Sequence, residues 1–147
     1  KQIRTKIIND LLNDKSIKNK IINYYDTKNQ KKHVYKLDKY IEATQNTRIN
    51  LVLAGNSNNI TYRFYEVLFL NSFFLIDPHF TNFKISESFY PFEDFVFYNS
   101  NDLIEKINFY LDNYEKAILI KDRLSQIFEE VYDPYKHGKF LKEIISL

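Results

Sequence analysis

Apolar positions along this chain change period, from helical spacing to unbroken runs and back. Ile3, Ile7, Ile8, Leu11 and Leu12 recur at intervals of three and four, which predicts a helix over residues 1–13 with one buried face. Lys20 to Tyr25 reads as a short strand ending at Asp26, and Asp26 to His33 as a polar loop. Leu37, Tyr40 and Ile41 fit a short helix that Thr44, Gln45 and Asn46 bring to an end. Ile49 to Ala54 is an apolar run but for Asn50, the mark of a strand buried on both faces of a parallel sheet. Thr61 to Leu70 returns to helical character, with Thr61 or Asn59 as the N-cap. Phe73 to Ile76 is a second buried strand, closed by Asp77 and Pro78.

Residues 79–93 are aromatic and irregular, and Pro91 forbids a regular central strand there. Phe95 to Tyr98 fits one more short strand. Ser100 or Asn101 is placed to cap a helix whose first turn holds Asp102 and Glu105, as the helix dipole favours. Leu103, Ile104, Ile107 and Leu111 form its apolar face. Asn113 breaks the pattern, a further helix covers Glu115 to Val131, and Asp133-Pro134 interrupts again before a last helix from Tyr135 to Ser146. Strands alternating with helices imply crossovers and a parallel sheet. The expectation is an α/β fold: a Rossmann-like parallel sheet of about four strands flanked by helices, with a helical C-terminal third, in a single domain over residues 1–147.

Composition narrows the class. At 147 residues, 44% hydrophobic and 27% charged, the chain is globular and long enough for a real core. Cysteine is absent, so there is no disulfide frame and no thiolate metal site, which fits a reducing, cytoplasmic setting. Only two glycines are present, so tight turns fall to Asn and Asp. A net charge of +2 gives no broad nucleic-acid footprint, and Lys28, Lys31, Lys32 and His33 read as a solvated loop. No apolar run approaches the ~20 residues of a transmembrane helix, and no signal peptide is visible. His33, His79 and His137 are scattered, without a metal-binding pair at i, i+4. The chain opens at Lys1 without an initiator Met, which leads to the expectation of a fragment.

In open α/β sheets ligands bind beyond the carboxyl ends of the strands, here Asp26, Gly55, Asp77 and Asn99. Gly55 permits a sharp turn and close approach of a ligand. The helix that follows offers unpaired N–H groups and the positive end of its dipole. Arg63 adds a forked cation suited to phosphate oxygens, and Glu66, three residues on, lies on the same face and suits a pair of ribose hydroxyls. Spacing alone supports equally a surface Arg63–Glu66 ion pair worth under ~1 kcal/mol. The loop is neither a Walker A sequence nor a G-x-G-x-x-G. Tyr62 can stack on a base, although core packing is the commoner use of an aromatic; His79 and Asp77 suit loop packing and capping of the Pro78 turn as well as ligand contact.

The order Tyr40-Ile41-Glu42, Arg48-Ile49-Asn50-Leu51, Ile60-Thr61-Tyr62-Arg63-Phe64-Tyr65-Glu66, Phe74-Leu75-Ile76 resembles the C-terminal half of GT-B glycosyltransferases, in their CgeB-like, exostosin-like and CAP10-like groups. Phe92 to Asn99 followed by Asn101 to Ile107 resembles the segment that comes next in those enzymes, so the likeness covers roughly residues 37–145. It implies a domain that binds a nucleoside diphosphate sugar, as donor substrate and with no cofactor, for transfer to a glycan, lipid or protein acceptor. Arg63 would face the diphosphate, Glu66 the ribose, and the segment from Gly55 through Asn59, Thr61 and Tyr62 would surround the donor. Such enzymes are typically metal-independent, and no Asp-x-Asp motif stands here. Many relatives carry Gly after the Glu-bearing helix where this chain has Asn71-Ser72; Asn tolerates the left-handed geometry. A full GT-B enzyme also needs an N-terminal domain carrying the acceptor site and general base, and the expectation is that residues 1–147 represent only the C-terminal half. The alternative is a non-catalytic interaction or structural protein built on the same half-fold. A nucleic-acid-binding module is disfavoured by the near-neutral charge.

Overall fold

The computed structural model describes residues 2–17, 37–53, 61–78, 95–133 and 135. In chain order the elements are α1 (Gln2–Asn13), α2 (Leu37–Asn46), β1 (Asn50–Val52), α3 (Tyr62–Phe69), β2 (Phe74–Ile76), α4 (Ser100–Asp112) and α5 (Tyr114–Tyr132). β1 and β2 pair in parallel, with Asn50 opposite Phe74 and Val52 opposite Ile76. A parallel pair needs a crossover between its strands, and α3 supplies it.

Successive strand residues point to opposite faces, and both faces are covered. Phe74 and Ile76 join Val52, Phe64, Val67, Leu68, Leu124 and Ile127 in one cluster, so α3 and the C-terminal half of α5 cover that side. Phe73 and Leu75 join Ile7, Leu11, Leu103, Tyr110 and Ala117 in the other, beneath α1 and α4. Helices on both faces of a parallel sheet make this an α/β fold, and they explain why the strands read as apolar runs without alternation. Edge-to-face contacts of Phe64 with Phe74 and of Phe74 with Phe95, at 5.8 and 5.5 Å between ring centroids, show where part of the aromatic content is spent.

The sheet is smaller than the four strands expected. The described residues hold two strands and one further parallel bridge, Ile76 to Val96, beside which Phe97 N–H donates to the Ile76 carbonyl at 2.9 Å. The segment Phe95 to Tyr98 thus reaches the sheet but pairs at one residue only, because the α4 cap begins immediately after it at Asn99. The proposed strand Lys20–Tyr25, the loop Asp26–His33, all three histidines and most of the aromatic stretch from Phe80 lie outside the described residues. So does the last helix, save Tyr135.

Polar side chains fix the helix ends. α4 is capped by Asn99, whose Oδ1 accepts from Asp102 N–H at 3.0 Å, and not by Ser100 or Asn101. The Ser100 hydroxyl instead donates to Asp10 Oδ2 at 2.6 Å, fastening α1 to α4. Asn113 separates α4 from α5 as the sequence indicated. Of the three residues whose spacing indicated α2, Leu37 is 72% exposed at its start, and only Tyr40 and Ile41 turn partly inward.

α3 ends in a Schellman motif: Ser72 N–H donates to the Val67 carbonyl at 2.9 Å and Asn71 N–H to the Leu68 carbonyl at 3.0 Å. Asn71 sits at φ 47°, the left-handed position where glycine is the usual choice. Its Oδ1 also accepts from the Ser125 hydroxyl at 2.8 Å, joining the turn to α5. Asn71→Gly should therefore leave the urea midpoint nearly unchanged, whereas Asn71→Val should lower stability by ~1–2 kcal/mol. Equal stability of the two variants would contradict this account of the turn.

Candidate functional site

The carboxyl ends of β1 and β2 are joined where Asp77 N–H donates to the Val52 carbonyl at 3.2 Å, and Asp77 is buried there. The chain returns from the segment beyond β1 at Thr61, whose extended backbone (φ −81°, ψ 154°) occupies the N-cap position of α3. Thr61 does not cap with its side chain: its hydroxyl oxygen is buried without a hydrogen-bond partner among the described residues. Its carbonyl accepts from Phe64 N–H at 3.0 Å, closing the first turn. Tyr62 is 86% exposed, so it serves no core, and its ring is open to a ligand. Gly55 and Asn59 lie outside the described residues.

Arg63 and Glu66 turn along the helix toward α2. Arg63 Nη1 donates to the Tyr40 hydroxyl and, at 3.0 Å, to the Thr44 hydroxyl; Nη2 donates to Asn50 Oδ1 at 2.7 Å. The guanidinium carbon lies 5.2 Å from the centre of the Tyr40 ring, a cation–π contact. Tyr40 in turn donates its hydroxyl proton to Glu66 Oε2. Arg63 Nη1 and Glu66 Oε2 are 4.0 Å apart, with side chains 27% and 44% exposed. The two residues thus meet chiefly through Tyr40. Each is fastened to a helix more than twenty positions earlier in the chain, as well as to its i, i+3 partner.

Asn50 is the buried anchor of this seam. Its Nδ2 donates to the carbonyls of Thr44 at 3.1 Å and Phe73 at 3.3 Å, while Oδ1 takes the Arg63 bond. Ser72 adds a hydroxyl bond to the Thr44 carbonyl at 3.3 Å. The end of α2, the start of β1, α3 and the turn before β2 are therefore tied together by polar bonds where the sheet begins.

Burial first, and then the Glu66 carboxylate, push the Tyr40 hydroxyl above the ordinary tyrosine range, with the Arg63 charge pulling the other way. The phenol therefore stays a donor to Glu66 at neutral pH. The stability tied to this shift is complete below the ordinary tyrosine pKa of about 10 and is lost as pH rises past it.

Sequence spacing brought out Thr61, Tyr62, Arg63 and Glu66, but it missed Tyr40, Thr44 and Asn50 as their partners. The one available signal was Asn50 itself, a polar residue inside an apolar run. A separate groove of about 470 Å³ between α4 and α5 includes Lys106, Phe109, Lys116 and Leu119 in its lining and shares none of these residues. Among the described residues no three potential metal ligands converge, and no helix is long and apolar enough to cross a membrane.

Removing the guanidinium strands Asn50 Oδ1 in a buried place. Arg63→Met is expected to cost ~2–3 kcal/mol in urea unfolding. A simple exposed ion pair would give under ~1 kcal/mol. A loss in that lower range would contradict the anchoring role of Arg63.

A family model described as glycosyl transferase-like matches residues 4–136. No curated protein and no solved structure matches the chain.

Proposed function

The chain belongs to the glycosyl transferase-like family, and from that premise we propose that it is the donor-binding half of a GT-B glycosyltransferase. Its ligand is a nucleoside diphosphate sugar. The anomeric carbon leaves the diphosphate and forms a bond to an acceptor oxygen. The electron pair of the broken bond departs on the diphosphate, and the acceptor proton passes to a base on a separate N-terminal domain. In this reading Gly55, Asn59 and Thr61 hold the phosphates through backbone N–H groups at the start of α3, where the helix dipole favours negative charge. Tyr62 stacks on the base. Arg63 has five donors; Nε and one Nη2 hydrogen, unused among the described residues, face the diphosphate and offset its charge. That charge compensation needs no metal ion.

One observation carries the ligand reading. Glu66 is held at Oε2 by Tyr40, while 44% of its side chain remains open to solvent and Oε1 has no partner among the described residues. A carboxylate so placed can accept from the hydroxyls of a ribose. A second reading is favoured by the bonds of Arg63 to Tyr40, Thr44 and Asn50. There the same residues serve only to fasten α2 to the sheet, and the domain is a non-catalytic interaction module.

Titration of the labelled protein with UDP, GDP and their sugars, followed by NMR, separates the two. Donor binding predicts shifts at Tyr62, Arg63 and Glu66 with one of these nucleotides, and a Glu66→Ala variant with affinity reduced about tenfold or more. A spectrum unmoved by all of them would leave the fastening reading.

A further inference from the structure

Among the described residues Tyr40 alone bonds to both Arg63 and Glu66. A glutamate side chain on a helix surface is free to rotate, and ordering it on binding a ligand costs free energy. Here that cost is met in advance. The phenol donates to one carboxylate oxygen, the Arg63 guanidinium donates to the phenol, and the same guanidinium lies against the Tyr40 ring at 5.2 Å. Arg63 is itself fixed at its other end by the buried Asn50. The chain Asn50–Arg63–Tyr40–Glu66 therefore runs from the first residue of β1 to a half-exposed carboxylate, with only Oε1 of that carboxylate left over among the described residues.

We propose that Tyr40 is a positioning residue for nucleotide recognition, fixing Glu66 so that Oε1 is presented to the ribose hydroxyls and the site selects ribonucleotides by them. The inference rests on the donor reading above and assigns to α2 a part in its specificity. It differs from a general stabilising role in one measurable respect. A residue that orients Glu66 affects ligands that carry ribose hydroxyls, whereas a merely structural residue affects all nucleotides alike.

The experiment compares dissociation constants for UDP and GDP with those for their 2′,3′-dideoxy counterparts. The wild-type chain should prefer the hydroxyl-bearing nucleotide about tenfold, the worth of one hydrogen bond to a charged group. Tyr40→Phe, which keeps the ring over Arg63, should reduce that preference to about threefold or less while leaving the dideoxy constant unchanged. In a Glu66→Ala background, Tyr40→Phe should change neither constant. The amide spectrum verifies the fold, and Tyr40→His, whose shorter ring does not reach the carboxylate, carries the same expectation if Phe is not tolerated. Retention of the full preference in the Tyr40 variant, or equal weakening of both nucleotides, would overturn the positioning role while leaving the donor reading intact. Absence of nucleotide binding in the wild type would overturn the donor reading itself and this inference with it. A wild type that binds without preferring the ribose removes the part assigned to Glu66.

Discussion

The Arg63 guanidinium, bonded to Tyr40, Thr44 and Asn50, is the contact on which the arrangement of the chain's middle third depends. Arginine suits the task because its donors form a rigid planar fork and its charge is weakly hydrated, so partial burial is tolerated. The acceptors come from two separate pieces of backbone, successive turns of α2 and the start of β1. Thr44 lies near the end of α2, Asn50 opens β1, and Tyr40 lies one turn before Thr44. With these bonds made, the buried Asn50 side chain at the amino end of β1 has both its amide hydrogens and its oxygen engaged. Without them Asn50, at 3% exposure, would carry an unmet acceptor in the core. Nearby apolar packing then follows a path already fixed. Phe64, the next residue after Arg63, enters the core cluster under α3, and Val67 and Leu68 follow it one turn later.

The same geometry divides α3 into two ends with different duties. At its C-terminus Asn71 closes the helix in the left-handed conformation and directs the chain into β2, so Phe73 and Phe74 fall on opposite faces of the sheet. At its N-terminus Thr61 has a buried hydroxyl with no partner among the described residues, and Tyr62 an exposed ring. Arg63 and Glu66 lie between, belonging by position to the second end and by their bonds to α2. In the proposed reading this pair both fastens the fold and faces a ligand, and the fastening supplies the rigidity that recognition requires.

Much of this was legible in the chain, and the reasons for the misses are physical. Ile49 to Ala54 and Phe73 to Ile76 announced buried parallel strands because a strand covered on both faces is apolar at nearly every position; the structure trims them to Asn50–Val52, which opens on a polar residue, and Phe74–Ile76. Asn71 announced its left-handed turn because few other residues tolerate one. The Arg63–Glu66 spacing announced a pair but not its partners. Tyr40 entered only through its helical spacing with Leu37 and Ile41, and hydrophobic periodicity records the ring of a tyrosine without its hydroxyl. Asn50 was hidden by the apolar residues around it. Hydrogen bonds between residues 13 to 26 positions apart have no local signature, so no spacing rule finds them. The cap of α4 lies one or two residues before the expected Ser100 or Asn101 because Asn99, Ser100 and Asn101 are all competent caps. Tertiary contact with Asp10 decided the use of Ser100.

Membership of the glycosyl transferase-like family and an α/β fold with a short parallel sheet set the frame; the polar seam gives that frame a mechanism. Its central claim is that Glu66 is held ready from behind by Tyr40 and Arg63 and meets a ribose in front. A crystal structure of the chain with UDP or GDP bound addresses this directly. It should show Glu66 Oε1 within ~2.6–3.2 Å of a ribose hydroxyl, with Oε2 still on the Tyr40 hydroxyl. A nucleotide seated elsewhere, or a Glu66 that has left Tyr40 to reach it, would contradict the account.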